Sequence, residues 1–432
     1  LAVPSLAFGG RHLAQAQDKP EFEQWLDTTN GTVVAEGIVT HAIEPWNETG
    51  TSTINPTLQP NNWDATRIAI SGGEGPDFVG TPGPSFAFEL AKAGSLLDLT
   101  PYTESQGWTE QFFPWALALG LVDGKLYSVP NEVETLVLYY NKTLFEANEW
   151  TPATTMDELM TLAQTIQDAG IIPFAHANAE WRPANEWFVG EFFTQIAGPQ
   201  KVYDVLSGGT AKFTDPEFVE AVTTLNTMQQ NGWFMGGLDR YYTTTFSDAD
   251  SAIANGDAAM KIEGTWWIAN TGSFWGPDNG NDNDWDWTPV PSKDGTPKFT
   301  LGIGSTQSIN AQCEAPDLAA EYMTYYFSGE TQARLLTEVG LAPAPVTIDP
   351  ALLSGLDARY AAILGELNAA SAANNYGYTT WTFYPPKTET LLIEEVEKVW
   401  AGDITVEEYL QALQTQFDTE LAAGEIPPLP AR

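Results

Sequence analysis

GKLYSVPNEVETLVLYYNK, residues 124–142, reads as two strands in quick succession. Gly124 and Lys125 open a turn, and the chain runs as a strand to Pro130. The linking residues Asn131-Glu132-Val133-Glu134-Thr135 carry two acids, and a second, longer strand follows at 136–140.

Outward from this stretch, strands and helices alternate. On the N-terminal side, PDFV at 76–79 is a short buried strand that breaks into the loop Gly80-Thr81-Pro82-Gly83-Pro84. Residues 63–70 and 85–92 are helices, stopped by Ser71-Gly72-Gly73 and Gly94. Residues 32–39 are β-branched and strand-like, and 21–27 read as a helix. Residues 6–8 read as a first strand whose loop carries Arg11 and His12. The same stretch has a second reading, since Ala14-Gln15-Ala16 is the small-residue pattern at the tail of a secretory signal. On the C-terminal side, Thr155 caps a helix that ends at Gly170, with Glu158 at its third position completing a capping box. Further helices are expected at 216–230, 251–254, 318–327, 332–339, 351–370, 388–400 and 405–421, with a strand at 258–262. The stretches 276–284 and 340–350 read as loops. Such alternation argues for α/β lobes with parallel sheets. Ligands of these sheets sit in the loops at the strands' C-terminal ends.

Length and charge narrow the functions. A chain of 432 residues holds two or three compact units. Asp plus Glu number 57 against 18 Lys plus Arg, a formal charge of −39 that repels phosphate backbones and removes nucleic acid from the expected partners. A lone cysteine, Cys313, excludes an internal disulfide and a multi-thiolate metal site. The histidines are His12, His41 and His176, with no HExxH pair for a zincin. No apolar run reaches the roughly 18–20 residues of a bilayer span. GLVDGK at 120–125 is too short for a phosphate loop, and no GxSxG elbow exists. DNGNDNDWD at 278–286 offers oxygens to Ca²⁺ but lacks EF-hand spacing. No metal or cofactor is expected. The 16 Trp, 15 Tyr and 21 Phe supply a core and leave flat faces for a binding cleft.

Residues 124–142 resemble the segment where the chain first crosses between lobes in extracellular solute-binding proteins of ABC importers, in the sugar-binding branch typified by maltose-binding protein. Other landmarks follow in the same order. WDATRIAISGGEGPDFV at 63–79 is similar to the family's helix, turn and strand unit. Thr143-Leu144-Phe145 and then 154–159 resemble a helix start, with Met156 where Trp is usual. Residues 255–260 through Gly264-Thr265-Trp266 resemble a strand and turn, and 402–408 the start of the terminal helix. The resemblance implies an α/β, two-lobed periplasmic-binding-protein fold of type II, each lobe a mixed sheet flanked by helices, joined by several hinge crossings. The first lobe would hold residues 1–130 plus 290–345, and the second 131–289 plus 346–432 with a helical C-terminus. It implies a non-catalytic, extracytoplasmic receptor that binds a sugar or oligosaccharide between the lobes and delivers it to an ABC transporter permease. A monomer is expected, touching the membrane through the permease or through a lipid anchor outside this sequence.

A sugar presents hydroxyls at its edge and C–H groups on its face, so planar aromatics and charged acceptors are the groups to seek. By resemblance, Glu134 offers a carboxylate to sugar hydroxyls, with Asn131 as a weaker neighbour; the other reading of Glu134 is a solvated acid beside Glu132. Trp266 resembles the family's stacking tryptophan, with Trp267 packed inward. Trp381, Phe383 and Tyr384 resemble the aromatic cluster that closes over the sugar. Trp181, Arg182 and Trp187 bring indoles and a guanidinium close together in sequence, for a polar clamp or, for Arg182, a structural salt bridge. In the first lobe the candidates are Arg11, His12 and Thr81, with backbone N–H groups around Gly304. The family's polar side chain further along the second loop is replaced by Gly83 and Pro84, which removes the usual guide to substrate.

Two other functions fit parts of this sequence. A secreted glycoside hydrolase also uses an acidic, Trp-rich cleft and needs only two carboxyls about 5–9 Å apart. A receptor of the same fold for a cation such as a polyamine would also use acids and aromatic cages.

Overall fold

The computed structural model describes residues 19–29, 31–182, 184–235, 237–240 and 242–430. Its first strand is Glu21–Asp27, which corrects the helix expected there. Phe22, Gln24 and Leu26 alternate inward, and the strand runs parallel to Thr53–Gln59 in the register Glu21↔Thr53 to Asp27↔Gln59. Gln24 tolerates burial because its Oε1 accepts from the Tyr322 hydroxyl at 3.1 Å. The strand expected at 32–39 is a helix, Val33–Ile38, continued by the π-helical turn Val39–Ile43. Packing overrides β-branched composition here: Ala35, Ile38, Ala42 and Ile43 are buried, and Gly37 lets the helix close onto Val339 of the helix Gly329–Val339. The elements expected at 6–12, with Arg11 and His12, lie outside the described residues.

Two large sheets organise the chain. The first has the order Thr53–Gln59, Glu21–Asp27, Phe78–Thr81, Thr306–Ile309, Val129–Pro130, parallel among its first three strands and antiparallel beyond. The second has the order Trp285–Thr288, Leu136–Asn141, Ala258–Gly264, Ile172–Phe174, with only the last pair parallel. Both are mixed rather than all parallel. In the first sheet, Thr306–Ile309 arrives from a neighbouring strand and not through a helical crossover, so nothing forces it to run parallel.

A small third sheet joins them, in the order Tyr376–Tyr378, Phe299–Ile303, Val133–Glu134. Val133–Glu134 follows Val129–Pro130 of the first sheet and precedes Leu136–Asn141 of the second. Phe299–Ile303 likewise lies between Trp285–Thr288 and Thr306–Ile309. The two crossings pair antiparallel at Gly302↔Glu134 and Ile303↔Val133. Paired crossings let α/β halves turn as rigid bodies while opposing other displacements. The cores divide in the same way. Phe22, Phe78, Trp108 and Tyr322 gather in one, and Tyr139, Phe193, Phe218, Trp267 and Trp285 in a larger one.

The capping box at Thr155 and Glu158 starts the helix Met156–Asp168. The helix expected at 351–370 is broken into a 3-10 turn, Pro350–Leu353, and a helix, Ala358–Ala372. Gly355 stands between them at φ 109°, a conformation that stops a helix and suits glycine. In the Asn/Asp-rich loop, Asn279 and Asn281 spend their amides on the carbonyls of Gly272, Trp275 and Phe274, and Asp284 pairs with Arg359 at 3.0 Å. Among the described residues no group of three His, Cys, Asp or Glu side chains is placed to hold a metal, and no helix is long and apolar enough to cross a membrane.

Candidate functional site

A cavity of about 620 Å³ opens where the two halves and their crossings meet. The first half contributes Trp25 and Asp27 from the end of the first strand, Trp63, and Thr81 from the end of Phe78–Thr81. The crossings contribute Asn131, Glu132, Glu134 and Gly304. Trp181, Arg182, Trp187, Trp266 and Trp381 complete the wall. Strand ends of an α/β sheet feed the cavity, as their exposed loops allow.

Three indoles brace one another. Trp266 meets Trp187 edge-on at 5.1 Å between centroids, and Trp381 at 5.8 Å. Its ring folds over Gly264, where any side chain would collide with it. Trp187 and Trp381 are buried and Trp266 is half-buried, so the Trp266 ring is the one left accessible. Its neighbour Trp267 packs in the core against Tyr139 at 4.5 Å and donates its indole N–H to Asp250 at 2.8 Å. In the first half, Trp63 is held edge-on to Phe86 at 5.1 Å.

Glu132 and Glu134 are two residues apart on an extended segment, the spacing that puts both side chains on one face. Their carboxyls are hydrogen-bonded to one another. Ser305 Oγ donates to Glu132 at 2.7 Å and Asn131 Nδ2 at 3.3 Å. Burial pushes both carboxyls above the usual range, and Glu134 furthest, because the negative charges of Glu132 and Glu263 add to its desolvation. Gly304 leaves open the space that the Glu134 carboxylate occupies.

Other expected residues have different positions. Arg182 reaches the cavity wall, but its Nε and Nη2 donate to Glu397 at 3.0 and 2.7 Å, so its guanidinium serves an ion pair. Glu397 also accepts from the Tyr242 hydroxyl at 2.9 Å. Thr81 spends its hydroxyl on Thr306 Oγ1 at 2.6 Å and the Gly83 carbonyl at 2.8 Å. Tyr384 is absent from the wall; fully buried, it packs against Phe213 at 5.9 Å in the core. Gly83, one of the two residues that stand in place of the family's polar side chain, has φ 141°, and a Cβ there would lie 2.6 Å from the Trp381 carbonyl oxygen. The missing side chain is therefore a condition of close packing between the halves. His176 is buried against Phe188, and desolvation first, then the charge of Lys261, lowers its pKa to about 3, which keeps it neutral.

The wall also holds Trp25, Asp27, Trp63 and Glu132, none of them expected. The signal for the first two was the period-two pattern ahead of them.

The two-lobed fold, the crossings and the cavity between the lobes meet a match in sequence: residues 42–351 fit the family described as bacterial extracellular solute-binding protein. This chain belongs to that family. The solute-binding protein is thus an extracytoplasmic receptor of a family defined by binding and not by turnover. It is 28% identical over 189 residues to the osmoprotective compounds-binding protein GgtB of Synechocystis sp., covering 42% of this chain and 44% of that protein. It is 26% identical over 188 residues to a probable sugar-binding periplasmic protein of Mesorhizobium japonicum, covering 41% and 42%. The match thus spans less than half the length of these curated relatives. Among solved structures, a chitin oligosaccharide binding protein superposes with a TM-score of 0.74 at 18% identity, covering 94% of this chain and 100% of that one. The GacH receptor of Streptomyces glaucescens superposes with a TM-score of 0.73 at 18% identity, covering 94% and 99%. These likenesses establish the fold.

Proposed function

We propose that this solute-binding protein is the receptor of an ABC importer, and that it captures a sugar or oligosaccharide between its lobes for delivery to a membrane permease. The observation that carries this reading is the cavity itself, in which the half-buried ring of Trp266 shares a wall with Glu132 and Glu134. An indole face suits the C–H side of a pyranose, and carboxyls accept from its hydroxyls. The names of relatives agree in kind: chitin oligosaccharide, raffinose and acarbose appear for the structural neighbours, and sugar for the Mesorhizobium protein. In this reading Trp25, Trp63, Trp181 and Trp381 add apolar surface, Asn131 and the Gly304 backbone add polar contacts, and the lobes comprise about 1–130 plus 290–345 and about 131–289 plus 346–432. The protein acts as a monomer. A ligand that touches both lobes favours the closed arrangement by those added contacts.

Glycoside hydrolysis finds less support. Glu132 and Glu134 are in hydrogen-bond contact, which is closer than the roughly 5–9 Å that either hydrolytic geometry needs.

Calorimetric titration against a panel of mono- and oligosaccharides tests the reading. One saccharide class should bind with one-to-one stoichiometry and emerge chemically unchanged. Absence of heat and of any thermal shift across the panel would reject it.

A further inference from the structure

The floor of the cavity has too little positive charge for its acids. Glu132 and Glu134 face it together, and Glu134 is only 3% exposed. Among the described residues no donor outside the pair bonds to Glu134, and no lysine or arginine lies within ion-pair distance of either acid. Behind them, Lys261 is buried between Asp250 at 2.5 Å and Glu263 at 3.2 Å, a cation already outnumbered by its partners. Arg182, on the wall, is held by Glu397. The other groups around the pair are hydroxyl and amide: Ser305 and Asn131 bond to Glu132, and the buried phenols of Tyr139, Tyr326 and Tyr360 lie within reach of the acids' charge. Buried charge of one sign is costly, so the pair must either hold a proton or meet a cation.

We propose that the saccharide taken by this site carries a protonated nitrogen, as an amino sugar does, and that Glu132 and Glu134 grip that nitrogen. The inference rests on the saccharide reading above and names its substrate class. The hydrogen bond between the two carboxyls needs a shared proton; an ammonium donates up to three hydrogen bonds and can take that proton's place, where a hydroxyl satisfies one acceptor and leaves the pair to hold its proton. The aromatic surroundings suit it. Thr265 N donates to the Thr135 carbonyl at 3.0 Å, a main-chain bond that joins the neighbours of Glu134 and Trp266, two residues that line the same cavity. A cation near an indole face gains further attraction.

The test uses the full chain and pairs of sugars that differ only in an amine for a hydroxyl: glucosamine with glucose, galactosamine with galactose, and the β-1,4 glucosamine dimer with cellobiose. At about pH 6 these amines are protonated. In the pairs that bind, the amino member should bind about tenfold tighter or more, and added salt should weaken it while leaving the neutral member unchanged. Glu132→Gln should shrink the ratio within a pair to about threefold or less. The salt series on the unmutated protein decides the matter if that variant does not fold. Neutral members binding as tightly as their amines, or a ratio untouched by Glu132→Gln, would overturn the proposal and leave the saccharide reading standing. Binding of no sugar in either column would overturn both.

Discussion

The carboxylate of Glu134 fills the space that a side chain on Gly304 would need. Glu134 pairs with Gly302 across the antiparallel crossings and Gly304 stands two positions beyond Gly302, so a single glycine decides where the acid stands. Gly304→Ala must move the carboxylate or the crossing. Saccharide affinity should fall about tenfold or more, with a stability loss of about 1–3 kcal/mol from overpacking. Calorimetry on the variant, with its unfolding curve alongside, measures both.

Adjacent tryptophans should separate binding from stability. Trp266→Ala removes the accessible ring and should cost about 2 kcal/mol of binding or more, with a modest change in melting temperature. Trp267→Ala opens the core and removes one of the two donors to Asp250, and should cost about 3–5 kcal/mol of folding stability. Equal effects of both on affinity and on melting would remove Trp266 from the site.

Glu191 gives stability a pH dependence. It is buried on the helix Ala184–Phe192, and it accepts from Gln195 Nε2 at 2.6 Å and from Thr300 Oγ1 at 2.8 Å on the crossing strand. Burial raises its pKa from 4.5 to about 7, more than those hydrogen bonds lower it. The fold therefore favours the protonated acid. Its contribution is complete below the unfolded value near 4.5 and is lost as pH rises through about 7. Unfolding free energies from denaturant titrations should decline across that window by up to about 3 kcal/mol, and Glu191→Gln should flatten the decline.

Two expected ligand residues should prove indifferent to the sugar. Arg182→Ala breaks an ion pair whose arginine is half exposed, so it should cost about 1 kcal/mol of stability or less and change affinity by less than about threefold. Tyr384→Phe removes a buried hydroxyl with no hydrogen-bond partner among the described residues, and should leave affinity unchanged. A large affinity loss in either variant would return that residue to the site.

The parts of this fold legible in the sequence were those where local signals agree with packing. The capping box at Thr155, the strand at 136–140 and the turn before Trp266 are of this kind. The N-terminal region was misread for a physical reason. Phe22, Trp25 and Leu26 are spaced like one face of a helix, while the row that packs is Phe22, Gln24 and Leu26, and its middle member looks polar until Tyr322 is in place. The end of that strand, Glu21–Asp27, brings Trp25 and Asp27 to the cavity, while Arg11 and His12 lie outside the described residues. Glu132 reads in the sequence as one solvated acid among many, and only the fold turns it to the cavity with Glu134. Tyr384 was indistinguishable from Trp381 in an aromatic run; the short helix Thr380–Phe383 turns one to the cavity and the other to the core.

A crystal structure with the saccharide selected by calorimetry should show a sugar ring against Trp266, polar groups within hydrogen-bond reach of Glu132 and Glu134, and contacts from both lobes. A saccharide bound elsewhere, with Trp266 and Glu134 untouched, would contradict this placement of the ligand.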